Sequence, residues 1–248
     1  MKINILGVKI DRIDFKGAIK KIAQFIDSEK SHQIVTVNSE FIIEAQDNKN
    51  FKKILNSADL AVADGVGILW ASKFLYGAKK KLKERVAGVD LMWEIAKLAS
   101  ENGWRIFLLG GKNGVVRKTS QRLKLLYPDL KIVGASEGEP KYPRDEIVKA
   151  IHKSEAQILF VAYGAPKQDI FISENLDKLG VKVAIGVGGS FDFISGKKKR
   201  APKWMQKISL EWLWRLGHEP KRFKRIYNAV MKFPIIIIAY KITQKSKK

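Results

Sequence analysis

Six short apolar runs, separated by stretches with helical spacing, constrain this 248-residue chain more than any other feature. They are QIVTVN (33–38), ADLAVAD (58–64), WRIFLLG (104–110), LKIVGAS (130–136), ILFVAYG (158–164) and VKVAIGVG (181–188). Each is a near-continuous stretch of Val, Ile, Leu and Ala rather than an alternation, so a strand formed from it must be covered on both faces. Between them, segments such as VDLMWEIAKLAS and GVVRKTSQRLKLLY carry apolar residues at three- and four-residue steps, which gathers them on one side of a helix. Strands and helices alternating this often predict an α/β fold, a Rossmann-like open and mostly parallel sheet with flanking helices.

The alternation stops at FISGKKKRAP (193–202). Residues 1–196 are expected to form the α/β catalytic body, and 197–248 a helical C-terminal appendage of two or three helices with a break at GHEP (217–220). Charge shifts at the same boundary. Of the net +22, residues 197–248 contribute +14, with 16 Lys/Arg against only Glu211 and Glu219. So basic a tail suits an anionic partner: nucleic acid, acidic lipid or a phosphorylated substrate. The chain has no cysteine, which excludes disulfides, thiolate metal sites and a Cys nucleophile and fits a reducing cytoplasm. Its first residues, MKINILGVKIDRIDF, lack the apolar core of a secretory signal. The longest apolar run, FPIIIIAY (233–240), is about half the roughly 20 residues that span a bilayer, so it is expected to lie on a membrane rather than cross one.

In an open α/β sheet, ligands bind outside the carboxyl ends of the strands. The polar and glycine positions there are Thr36 and Asn38, Asp64, Gly110 and Gly111, Glu137, Gln168, Gly188 and Asp192. Several of these turns are glycine-rich and let backbone N–H groups approach a phosphate. LLGGKNG is nevertheless not GxGxxG, and no GxxxxGK[ST] or GxSxG occurs, so neither a dinucleotide site, a P-loop nor a nucleophile elbow is supported. The three histidines, His32, His152 and His218, are too scattered for metal-ligand spacing. No Asp-x-Asp pair is present to hold a divalent cation on a diphosphate, and no cofactor motif is found; diphosphate chemistry would fall to cationic side chains. Arg85 is a candidate because its planar fork makes paired hydrogen bonds. Asp64 directly follows an apolar run. It either caps the next helix through its N–H groups or acts as a general base at a strand end. Thr36 has an equally plain alternative as a strand residue, Asn38 as a helix cap, and Gln168 as an early-helix residue.

Taken together, TVNSEF (36–41), ADGVGILWASK (63–73), ERVAGVDL (84–91), FLLGG (107–111), YGAPKQD (163–169), GVGGSFDFISGKKKRAP (186–202), LEWLWRL and EPKRFKR (210–225) resemble the WecG/TagA/CpsF family of bacterial glycosyltransferases, glycosyltransferase family 26. The resemblance covers nearly the whole chain in consistent order and is nearest the TagA-like branch. It implies inverting transfer from a UDP-sugar to a sugar linked to a lipid diphosphate, at the inner face of the plasma membrane; without an Asp-x-Asp pair, that transfer is expected to be metal-independent. For TagA-like members this is N-acetylmannosamine onto GlcNAc-diphospho-undecaprenol in wall teichoic acid linkage-unit synthesis. Other branches use N-acetylmannosaminuronic acid or glucose. The resemblance makes Asp64 the general base, with Thr36 and Gln168 beside it in the catalytic pocket. Asn38 and Asp192 become nucleotide-side positions, Arg85 a group near the diphosphate, and Arg215, Arg222 and Arg225 the arginines of the appendage.

The tail motif EWLWRLGHEPKRFKRIY (211–227) then has three readings: a helix packed on the body, a membrane-surface foot, and a lid whose arginines close over UDP. The last two are compatible. Phe223, Ile226, Tyr227 and Val230 fall on one apolar helical face, with Arg222 and Arg225 along a neighbouring strip. Nucleic-acid binding is disfavoured, because no matching motif appears and the glycine turns would go unexplained. Self-association is an alternative fate for such a tail away from its membrane.

Overall fold

The computed structural model describes residues 1–138 and 144–245. All six apolar runs form strands of one sheet. Introduced after an N-terminal hairpin of β1 (Lys2–Ile5) and β2 (Val8–Asp11), they are β3 (His32–Val37), β4 (Leu60–Ala63), β5 (Arg105–Gly110), β6 (Lys131–Ser136), β7 (Ile158–Ala162) and β8 (Val183–Gly186). The sheet order is β4-β3-β8-β7-β5-β6, and every neighbouring pair is parallel. Alternate residues go to opposite faces. Ile34, Phe160 and Ile185 meet the helices Phe15–Ile26, Gly88–Asn102 and Val115–Leu126 on one side. Val35, Leu159 and Ala184 face the other side, where Ser39–Asp47, Lys49–Ser57, Val66–Lys80 and Lys167–Leu179 pack. Both faces are covered over five of the strands, which is why those runs read as continuously apolar; β6, at the sheet edge, alternates between exposed and half-buried residues.

The hairpin is an addition to the sequence expectation. Its two-residue loop places Leu6 at φ 51° and Gly7 at φ 85°, joining Ile5 directly opposite Val8. Two positive φ values suit a type I′ turn and the twist of a hairpin. Ile3, Ile5, Val8 and Ile10 turn inward against the second core face. Beside β4, Asp11 accepts from the Ala61 N–H at 3.0 Å, so the hairpin shields that edge.

The tail is helical, as expected, with Lys203–Lys207 and Glu211–His218 followed by a break at Glu219 and a 3₁₀ turn Pro220–Arg222. Its last part departs from expectation in two ways. Residues Pro220–Gln244 make one helical run of 25 residues with a window of mean hydropathy 1.3, enough by length and composition to cross a membrane. FPIIIIAY alone looks too short because backbone hydrogen bonding continues through the polar residues before it. In addition, the face Phe223, Ile226, Tyr227 and Val230 is split: Ile226 and Val230 are half-buried on the side that continues to Phe233 and Ile237. Phe223 and Tyr227 are exposed, whereas Phe233 and Ile237 are fully buried in the second core cluster beside the helix Val66–Lys80. Lys241 closes the contact, donating to the Phe74 carbonyl with its ammonium 4.1 Å from that ring.

Candidate active site

Strands β3 and β8 are sheet neighbours whose following helices, Ser39–Asp47 and Ser190–Ile194, leave toward opposite faces. That divergence opens a crevice at their carboxyl ends, and a cavity of about 840 Å³ occupies it. Thr36, Asn38, Asp64, Arg85, Gly111, Glu137, Gln168, Gly188, Asp192, Arg215, Arg222 and Arg225 all line it. Of the residues singled out from sequence, only Gly110 does not. Its φ is 104°, and a Cβ there would lie 2.7 Å from the Ala162 carbonyl carbon. Gly110 therefore serves the close packing of β5 against β7, and Gly111 is the residue that reaches the cavity.

Asp64 sits immediately after β4. The helix that begins two residues later has no side-chain cap at its N-terminus, so the capping role weighed from sequence is not what Asp64 does. Its carboxylate turns toward Gly88, at the start of the next helix, and toward the Arg85 guanidinium, with Nε 3.7 Å from Oδ1. Burial in the cavity floor pushes the carboxyl up to about 6, against the opposing pulls of Arg85, the Gly88 N–H and Arg215. A carboxylate with that proton affinity suits a general base near neutral pH. Arg85 makes its direct hydrogen bond elsewhere, from Nη1 to Glu211 Oε2 at 2.9 Å, and Glu211 also accepts from Arg215 at 2.8 Å. Asp64, Arg85, Glu211 and Arg215 thus form a quartet of alternating charge across body and tail.

Around Asp64, three uncharged side chains fix the backbone. Thr36 donates to the Gly186 carbonyl at 3.0 Å, tying β3 to β8. Asn38 caps the helix Ser39–Asp47, accepting from Glu40 and Phe41 N–H at 3.0 and 3.2 Å, so its plain role holds while its amide nitrogen remains at the cavity wall. Gln168 is buried, and its Oε1 accepts from Gly164 N–H at 3.2 Å and Gly188 N–H at 2.9 Å, clamping the turns after β7 and β8 together. Behind it lies Asp169, fully buried, with neither carboxyl oxygen hydrogen-bonded. Both side chains crowd Gly186, where a Cβ would be 2.5 Å from Gln168 Nε2 and 2.6 Å from Asp169 Oδ1. Burial pushes Asp169 up to about 7.

The tail arginines complete the far wall. Arg215 stacks 4.9 Å over the Phe193 ring. Arg222 pairs with Glu219 at 2.9 Å, and Arg225 Nε donates to Glu40 at 2.7 Å. Lys198 bridges Asp192 at 2.9 Å to Glu219 at 2.7 Å, linking the GKKKR segment to the tail. On the opposite rim, Glu137 accepts from Gly114 N–H at 2.5 Å, beside Gly111. The cavity is cationic where the tail covers it, and carboxylates hold each arginine in place.

Glu40 and Glu211 were not singled out from sequence. Glu211 carried a signal all the same: it is one of only two acids among 52 residues that bear 16 positive charges. The histidines stand apart from the cavity. His32 stacks on Phe25 at 3.9 Å and pairs with Asp59, and His218 stacks on Trp214 at 4.0 Å.

A family model described as "Glycosyl transferase WecG/TagA/CpsF family" matches residues 3–247. Among curated proteins, the chain is 37% identical over 204 residues to N-acetylglucosaminyldiphosphoundecaprenol N-acetyl-beta-D-mannosaminyltransferase of Bacillus spizizenii, covering 82% of this chain and 78% of that one. It is 34% identical over 247 residues to the protein of the same name from Bacillus subtilis, covering 99% and 92%. It is 32% identical over 249 residues to that of Staphylococcus aureus, covering 100% and 94%. The match runs through body and tail alike, and the chain belongs to the WecG/TagA/CpsF family of glycosyltransferases.

Proposed function

We propose that this glycosyltransferase moves N-acetylmannosamine from UDP-N-acetylmannosamine to the 4-hydroxyl of GlcNAc-diphospho-undecaprenol, with inversion and without a metal ion, in building the linkage unit of wall teichoic acid. The observation that carries the reading is Asp64 and four arginines facing one cavity; the names of the relatives supply the sugars. The acceptor hydroxyl gives its proton to Asp64 as its oxygen bonds to the anomeric carbon. The bond from that carbon to the UDP oxygen breaks on the opposite side, and UDP leaves with the electron pair. A single displacement of this kind inverts the centre. Arg215, Arg222 and Arg225 neutralise the charge that develops on the diphosphate, and Arg85 lies between base and leaving group. Thr36 and Gln168 keep the β3, β7 and β8 ends rigid, which holds the reacting groups in line. Asn38 and Asp192 stand on the nucleotide side.

The same proposal puts the tail on the inner face of the plasma membrane. Phe223, Tyr227, Met231, Ile235, Ile238 and Ile242 are exposed at steps of three and four, an apolar stripe opposite the buried Phe233 and Ile237, with Lys221, Lys224 and Lys232 beside it for anionic headgroups. Because one side of the helix is already packed on the body, the reading is of a helix lying at the interface. Purified protein incubated with a panel of UDP-sugars and a short-chain GlcNAc-diphospholipid, with and without EDTA, tests the chemistry by product mass. Product with UDP-N-acetylmannosamine, undiminished by EDTA, is expected. Product only with another donor overturns the sugar assignment, and dependence on an added cation overturns the metal-independent mechanism.

A further inference from the structure

Arg85 has two carboxylates within reach and satisfies only one. Its Nη1 is 2.9 Å from Glu211 Oε2, a direct hydrogen bond, whereas its Nε stops 3.7 Å short of Asp64 Oδ1 and, though buried, has no hydrogen-bond partner. An arginine facing a lone carboxylate in a sheltered site closes on it with paired hydrogen bonds. A base so clamped would have its oxygens occupied and its proton affinity depressed. What prevents this is an acidic residue from the tail, 126 positions away in sequence. Glu211 opens the helix Glu211–His218, where a negative charge is favoured by the helix dipole. Arg215, one turn on, holds it from the other side at 2.8 Å.

We propose that Glu211 is a positioning residue: it draws the Arg85 guanidinium off Asp64, so that the carboxylate is free for the acceptor hydroxyl only while the tail is docked. The assignment rests on Asp64 being the base. The quartet of Asp64, Arg85, Glu211 and Arg215 sums to zero charge. Two further groups face it, Arg200 toward Glu211 and Asp90 toward Arg85, and these two are paired with each other at 2.9 Å. Removing a charge from the tail half therefore leaves an imbalance that Asp64 must feel. Glu211→Gln leaves an excess positive charge and releases Arg85 toward Asp64, which weakens the base. Arg215→Gln leaves Glu211 wholly to Arg85 and takes a positive charge from the site, which strengthens it. The two variants act in opposite directions, and general loosening of the fold cannot produce that.

The experiment follows the Asp64 carboxyl in the full-length protein by infrared difference titration, its band identified by disappearance in Asp64→Asn. The midpoint is expected to fall by on the order of one pH unit in Glu211→Gln and to rise by a similar amount in Arg215→Gln. Each change is measured on its own, so either variant that folds is decisive. In Glu211→Gln the acid limb of the kcat/KM profile should move down with the infrared midpoint, and kcat should fall more than the KM for the UDP-sugar rises. An unmoved midpoint in a folded variant, or movement in the same direction in both, overturns the proposal. If no transfer is found with any donor, the reading of the reaction fails while the infrared midpoints still decide the coupling between Glu211 and Asp64.

Discussion

Two carboxyls, the half-buried Asp64 and the fully buried Asp169, make this fold give up stability at the cavity. A carboxyl held at about 6 rather than the ordinary 3.8 keeps its proton in the native state where the unfolded chain has released it. Stability is then greatest at acid pH and falls as pH rises through about 6, by on the order of 3 kcal/mol for Asp64. Asp64→Asn is expected to lower transfer by roughly 10²–10⁴ while UDP still binds, and to raise the melting temperature at pH 8 but not at pH 4. Turnover near normal in a product-mass assay would remove Asp64 from the base role. Asp169, held at about 7 with no hydrogen bond to either oxygen, behaves alike but one step removed from the cavity. Asp169→Asn should stabilise the protein at pH 8 relative to pH 5, as read by urea midpoints. Only Asp64 was legible in the sequence as a candidate, because it follows an apolar run directly. Asp169 looks like an ordinary first-turn acid until β3 and β8 close over it.

At the scale of elements, the six strands of the parallel sheet could be read to within about two residues, since burial on both faces of all but the edge strand β6 leaves a continuous apolar signature. The N-terminal hairpin was missed. Its strands are only four residues each, and Leu6–Gly7 is not one of the usual turn pairs, although Ile3, Ile5, Val8 and Ile10 carry the alternation. The tail helix was read as basic and amphipathic, with the face that meets the body left open. Helical spacing identifies stripes, and it cannot say which of two stripes meets the body and which meets something else. Here Phe233 and Ile237 dock in the second core cluster, so Phe233→Ala should cost about 3–5 kcal/mol of local stability. Limited proteolysis is the check: cleavage within the tail should speed up while the body remains resistant, and unchanged cleavage would mean the helix is held by other contacts.

For the whole molecule, body and tail are joined by charge as well as by apolar packing. Arg85–Glu211, Glu40–Arg225 and Asp192–Lys198 all cross between them, and each has a member that lines the cavity. Catalysis and membrane attachment are therefore expected to separate cleanly on the outer stripe. Replacing Ile235 and Ile242 together with Glu should abolish co-sedimentation with vesicles rich in anionic lipid. Transfer to a short-chain acceptor in solution should stay within about twofold. Retained vesicle binding would show that the stripe is not the membrane face.

Sequence by itself determined the α/β alternation, the strand ends at which the cavity opens, and the strongly basic, helical tail, because each is a local property of composition and spacing. Only tertiary structure decided which stripe of the tail helix is buried, that Gly111 rather than Gly110 faces the cavity, and that Arg85 bonds a carboxylate 126 positions away in preference to the one it follows by 21. Such choices depend on which groups the folded chain brings within 3–4 Å of each other, and no periodicity along the sequence encodes that.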